Sequence, residues 1–294
     1  MNVAAKRAVE PALERFAARW RDRRRAAPGV ADLQRRALDV AVAAGLPGAR
    51  NEAFKYTSLR RFGTRTFELP APGPLLTADE LDSRLLPASG WHRLVFIDGH
   101  YLPELSTPFP AARGVSVRAL ADVAITEPDG LADWLERDTG SETPFFAALN
   151  AAFIEDGLVI ELEASAAIAE PVYVVHVSTA RERATMSHTR VILDAGPHTR
   201  AILVEHHVAI GAAECYSNVV TDVQLGEHAR IEHYRIQEES TAAFHFAQLR
   251  AVLADGAGLV DHRIALGAGL DRTDIAVRLD GPGAEVFLNG LFVV

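Results

Sequence analysis

Four stretches decide the fold: LDAGPHTRAILVEH (193–206), VQLGEHARIEHYRI (223–236), VLADGAGLVDHRIAL (252–266) and VRLDGPGAEVFLNGL (277–291). Each runs an apolar strand, a turn with glycine and a second strand in the same order. Gly196, Gly226, Gly256 and Gly281 read as corresponding turns, separated by 30, 30 and 25 residues. A repeat of this size, built of strand and turn with no helix between, predicts a solenoid whose coils stack, that is, a β-helix. A β-sandwich of regular hairpins is the competing architecture, since both need tight corners that glycine serves.

Working back from the repeat, nearly everything from Asp156-Gly157 onward reads as strand. Two short helices precede it, near 130–137 (LADWLERD) and 144–153 (PFFAALNAAF). RLVFIDGHYLPEL alternates like a strand around Asp98-Gly99, a dipeptide that supplies the positive φ of a tight hairpin. The TADE run at 77–80 reads as a capping box, with Thr77 as N-cap and Glu80 reaching back to it, and a short helix follows to Leu86. PAPGP at 70–74 reads as a loop. Farther upstream, Val9, Leu13, Phe16 and Trp20 recur at spacings of 4, 3 and 4, one face of a helix from Val3 to Arg25 that Pro28 and Gly29 end. A second helix starts near Asp32, carries Leu33, Ala37, Val40, Ala41 and Ala44, and stops at Gly45 and Pro47. The two form a hairpin. The expected organisation is a helical domain over residues 1–90 and a β domain over 91–294.

Composition bounds the function. The chain has 294 residues, 49% hydrophobic and 23% charged, as in ordinary globular proteins. Its first residues are charged and hold no apolar run long enough for a signal peptide or a membrane span, so the expected compartment is the cytoplasm. Cys215 is the only cysteine, which excludes an internal disulfide and a cysteine-rich metal site from this chain alone. Residues 1–70 hold 15 Lys or Arg against 7 Asp or Glu, leaving 15 basic against 32 acidic residues for 71–294. That basic segment could attract an anionic partner or dock on its own acidic remainder.

Nine of the eleven histidines fall between His176 and His262. Imidazole is a common ligand of transition metals, yet no HExxH or HxH spacing appears. Measured from their glycines, His206, His207, His233 and His262 stand at unequal offsets, whereas His198 and His228 share one place and should stack at an outer corner. No metal ligand is therefore expected, and the histidines read as solvated or hydrogen-bonded. Asp255, Asp261, Asp271, Asp274 and Asp280 are candidate carboxylates for a β-helix enzyme acting on carbohydrate, but each sits where a turn or strand end favours Asp. No GxSxG, P-loop or GxGxxG is present. In RNEAFKYTSLRRF (50–62), Arg50, Lys55, Arg60 and Arg61 beside Phe54, Tyr56 and Phe62 could grip a nucleic-acid strand, against which Glu52 and the acidic remainder stand. The architectural reading is a junction, with Arg50, Glu52, Phe54, Lys55, Tyr56 and Thr57 holding the helical part onto the β part. Phe54, Tyr56 and Phe62 are then at least half buried and Glu52 lies near a basic partner.

RNEAFKYTSL (50–59), LVFIDGHYLPELS (94–106), PFFAALNAAFIEDGLVIEL (144–162), EHARIEHYRIQEES (227–240) and RTDIAVRLDGPGAEVFLNGLFVV (272–294) together resemble the SufB/SufD family of iron-sulfur cluster assembly scaffold proteins, in order and from about residue 35 onward. The first of these stretches resembles the SufD branch. The resemblance implies a mainly β protein with an α-helical N-terminal domain and a right-handed parallel β-helix core. It also implies SufB and SufC homologues as partners, with ATP bound by SufC and the cluster assembled on the complex. No catalytic activity or cofactor of this chain alone is implied. VFLNGLFVV reads as a strand up to the last residue, so the β-helix is expected to be incomplete at its C-terminal end, lacking the family's SufC-binding region and late Cys-His segment.

Overall fold

The computed structural model describes residues 3–23, 28–71, 76–107 and 114–293. The N-terminal part comprises α1 (Val3–Asp22), α2 (Pro28–Ala44), a 3-10 turn at Glu52–Phe54, α3 (Arg60–Thr64) and α4 (Ala78–Asp82). Two strands of a tight hairpin follow, β1 (His92–Ile97) and β2 (His100–Tyr101), then β3 (Val115–Ala119). Three helices come next, α5 (Leu120–Thr126), α6 (Pro128–Glu136) and α7 (Phe145–Phe153). Ten strands complete the chain: β4 (Asp156–Leu162), β5 (Val172–Thr179), β6 (Thr185–Ala195), β7 (Arg200–Ile210), β8 (Cys215–Leu225), β9 (Arg230–Glu238), β10 (Phe244–Leu253), β11 (Gly258–Ala265), β12 (Leu270–Leu279) and β13 (Glu285–Phe292).

The solenoid expected from the repeat is present, and the hairpin sandwich is not. From β4 onward, each strand pairs in parallel with the strand two places along. One sheet has the order β12-β10-β8-β6-β4-β3, and the other β13-β11-β9-β7-β5-β1-β2. Among the described residues, antiparallel pairing is confined to β1 with β2 and β3 with β4. The register corrects the alignment of glycines. Ala195 pairs with Leu225 and Leu225 with Leu253, so Gly226 is matched by Ala254, and Gly256 instead follows His228 and His198. Those two histidines and Gly256 have positive φ, at 59°, 56° and 60°, as do Ser165 in the coil before them and Gly283 in the coil after. Gly196 and Gly226 are needed for room, because a Cβ on either would come within 3 Å of the preceding coil. His198 and His228 do stack at this exposed corner, centroids 5.2 Å apart.

Coil length varies mainly at one corner. The turn from Ala195 to Ala201, Leu225 to Ile231 or Leu253 to Leu259 takes six steps, and the next, from Leu279 to Val286, takes seven. At the opposite corner the path from His176 to Ser187 takes 11 steps, His207 to Ser217 takes 10, Gln237 to His245 takes 8 and Ala265 to Asp271 takes 6. The cross-section therefore tapers along the axis at that corner.

Alternate residues of each strand face the lumen. Its side away from the tapering corner is apolar, with Val191, Leu193, Leu203, Val223, Ile231 and Leu259 in one cluster. The outer face of the six-stranded sheet carries Met186, Ile192, Tyr216, Phe244 and Phe246, which join α1, α2 and α5–α7 in a second core. Thus α5–α7, which follow the boundary drawn at residue 90, pack into the same core as α1–α3. Beneath α6, the fully buried Arg190 bonds Asp138 at 2.8 Å and Asp222 at 2.7 Å, and Arg250 bridges the same two carboxylates. Pairing makes such burial of charge tolerable, and removing one partner would strand the others.

Locally, most start and stop signals hold. Thr77 and Glu80 form the capping box. Asp98 and Gly99 turn with φ of 50° and 88°, and the Asp98 carboxylate accepts bonds from the backbone and hydroxyl of Thr179. Pro28 does not follow a helix; it opens α2 four residues before the expected start, where its fixed φ suits the first turn and its missing N–H costs nothing. Residues 72–74 of the expected PAPGP loop, and the Val9 side chain, lie outside the described residues. β3 and α5 are elements that the sequence reading omits.

Candidate functional site

The junction motif divides into an inner and an outer half. Asn51 caps the 3-10 turn by accepting from the Ala53 N–H, and this turn points Phe54 inward, where it meets Phe146 at 6.0 Å. Phe62 is nearly inaccessible and sits among Phe67, Phe146, Tyr216, Phe244 and Phe246, with centroids 4.9–5.7 Å away. The guanidinium of Arg272, on β12, lies 3.9 Å over the Phe54 ring and donates to the carbonyl of Ala53 and the hydroxyl of Thr57. Tyr56 contradicts the expectation of burial: it is 92% exposed, on the opposite side of the turn, with only Lys55 over its ring. Glu52 does have a basic partner, Lys55 at 3.8 Å, on the surface. Arg50 is exposed.

A second constellation lies in the lumen, on the side of the tapering corner. Six of the nine clustered histidines are buried rather than solvated, and His188, His206, His233 and His245 among them take the hydrogen-bonded alternative. Register explains why: His176 on β5 and His207 on β7 are direct partners, and their rings stack 4.5 Å apart with planes 4° from parallel. Glu205, two residues before His207, faces the same space. One ligand atom from each of His176, Glu205 and His207 lies within 4.8 Å of the others. His245, on β10 across the lumen, brings its ring within 4.7 Å of His207.

The charges around this group interlock. One oxygen of Glu205 accepts from His233 Nε2 (2.8 Å), Thr221 Oγ1 (2.7 Å) and Arg235 Nη2 (3.0 Å). Burial alone would raise its pKa, but the Arg235 charge and the His233 bond hold it well below the usual carboxylate range. His233 also bonds Asp261 through Nδ1, at 2.7 Å. Burial disfavours its charge, yet its bonds to the two carboxylates raise its pKa. Burial pushes His176 down to about 4 and His207 well below the usual value, keeping both neutral with a lone pair to offer. Glu239 accepts from Ser217 at 2.5 Å and pairs with His245 Nδ1 at 2.7 Å. Cys215 points its sulfur at Glu239, 3.8 Å away, and burial followed by that negative charge pushes the thiol pKa up.

The candidate carboxylates of the enzyme reading are dispersed. Asp261 is locked in the lumen by His233 and Arg263, Asp274 pairs with Arg272, and Asp280 pairs with Arg278. The lumen cluster, in contrast, is what sequence spacing missed. Its signal was the 31-residue interval from His176 to His207, one coil length, hidden because the coil of His176 carries Glu163 where the following coils carry Gly196 and Gly226.

The chain matches two family models, "SufBD protein N-terminal region" over residues 21–174 and "SUF system FeS cluster assembly, SufBD core domain" over residues 176–294. Among curated proteins it is 26% identical over 254 residues to an iron-sulfur cluster assembly SufBD family protein of Synechocystis, covering 81% of this chain and 54% of that one. It is 25% identical over 250 residues to the iron-sulfur cluster assembly protein SufD of Escherichia coli, covering 84% of this chain and 55% of that one. The chain thus spans about half the length of the curated relatives it matches. No helix among the described residues is long and apolar enough to cross a membrane. With both models matched in order, over helices and solenoid alike, the chain belongs to the SufB/SufD family, on its SufD-like side.

Proposed function

We propose that this chain is a scaffold subunit for iron-sulfur cluster assembly, acting with SufB-like and SufC-like partners in the cytoplasm and catalysing no reaction by itself. The observation that carries the reading is the match of both family models across residues 21–294 with one residue between them. Two features of the chain support it. Phe62, Arg272 and the Arg190 network bind helices and coils into a stiff body, as a platform requires. Cys215 is buried with a raised thiol pKa, which suits a structural residue better than a sulfur acceptor. The carbohydrate-enzyme alternative needs paired carboxylates along a groove, and Asp261, Asp274 and Asp280 are instead committed to cationic partners.

The test is coexpression of the protein that carries this chain with homologues of SufB and SufC. Affinity purification should recover a stable complex, and cluster formation, followed by visible absorption, should fall when this protein is left out. A protein that stays monomeric and leaves cluster formation unchanged would sink the proposal.

A further inference from the structure

We propose that the lumen of the solenoid is a binding site for a first-row divalent transition metal ion, ligated by His176, Glu205 and His207 with His245 as the fourth donor. The inference does not depend on the scaffold reading, since it rests on donor atoms alone.

Three buried atoms converge without partners, Nε2 of His176 and of His207 and the second oxygen of Glu205, and the equally unpartnered Nε2 of His245 lies on a ring whose centroid is 4.7 Å from that of His207. Their residues are, in that order, 8%, 1%, 0% and 1% exposed. A buried polar atom left unpaired costs about 1–3 kcal/mol, and four of them together are a costly arrangement unless something shared satisfies them. Three imidazoles and one carboxylate are the donor set that zinc or ferrous iron favours, whereas calcium and magnesium prefer oxygen. The supporting contacts fit as well. His245 is oriented by Glu239 on its other ring nitrogen, as metal-bound histidines usually are. Glu205 has one oxygen fixed by three donors, which leaves the other for an ion. His176 Nε2 and that oxygen stand 3.9 Å apart. Donors of a tetrahedral site with bonds of about 2.1 Å lie about 3.4 Å from one another, so binding needs a small contraction. The parallel rings of His176 and His207 must also rotate about χ2, a torsion with a broad minimum.

Unpartnered N–H groups of Arg235 and Arg263 lie in the same lumen and offer donors to a small anion accompanying the ion.

Cobalt(II) is the probe. The protein, stripped with a chelator and titrated with Co2+, should show a visible d–d band saturating near one ion per chain, displaced by Zn2+. The His176→Gln/His207→Gln variant should bind about a hundredfold more weakly or not at all. A His198→Gln/His228→Gln variant, altered at the exposed corner, should bind like the parent. Absence of saturable Co2+ binding to the parent overturns the proposal, whether or not the lumen variant folds. So does binding that survives loss of His176 and His207, or that is lost equally with the corner pair.

Discussion

His188 shows what a single buried ring can do to stability. It lies on the outer face of β6, stacked 5.0 Å from Phe153, edge-on to Tyr216, and accepting from Asn218 Nδ2 at 3.1 Å. Burial pushes its pKa down to about 3, whereas an unfolded histidine titrates near 6.5. The unfolded chain then binds the proton more readily. The stability this residue contributes is complete above about pH 6.5 and is lost as pH falls from there toward 3, by about 2 kcal/mol at pH 5. Urea denaturation of a His188→Gln variant should show a flatter fall between pH 7 and pH 5 than the parent; equal slopes would refute this. At the same scale, the aromatic residues of RNEAFKYTSLRRF were only partly legible. Phe54 and Phe62 are buried as their composition suggests, but the short 3-10 turn sends Tyr56 outward, and nothing local in the sequence distinguishes it.

Among the elements, α7 is the one most completely enclosed, every residue from Phe145 to Phe153 being buried. Its helical nature was readable from FFAALNAAF, as was the hairpin from Asp98-Gly99. Its docking was not, because the polar residue that fixes it bonds to backbone far away. Asn150 donates to the carbonyls of Thr189 and Asn218, while Asn218 donates to the carbonyl of Phe146, so helix and sheet are fastened in both directions. An Asn150→Ala substitution should lower stability by about 1–3 kcal/mol, read from the midpoint of chemical denaturation, through two carbonyls that each lose a donor. An unchanged midpoint would show that water replaces the amide at no cost. The strands were legible for a different reason: their apolar alternation and turn spacing survive changes of coil length. Exact register did not survive them, which is why Gly256 was aligned with the wrong partner.

For the whole molecule, the repeat announced a solenoid, yet the histidine cluster stayed hidden. It is assembled from coils of unequal length, and only the paired strands reveal which residues share a level. The attachment of the helices was likewise beyond a linear reading, since Arg272 reaches Ala53 across 219 positions. That clasp separates two kinds of kinetics. Within the ladder each strand meets a partner about one coil away, from the 33 residues between Leu158 and Val191 to the 26 between Leu253 and Leu279, so pairing can spread by short loop closures. The clasp closes a loop of 219 residues, far longer than any step of the ladder, and is expected to form after it. An Arg272→Ala variant should refold at nearly the parental rate but unfold about fivefold faster in stopped-flow experiments, for a loss of roughly 1 kcal/mol. Slower refolding with unaltered unfolding would reverse the order of events. If the order holds, the contact between the 3-10 turn and the twelfth strand acts as a brake on escape from the native state: it does little to guide the chain in, and it sets how long the assembled coils persist.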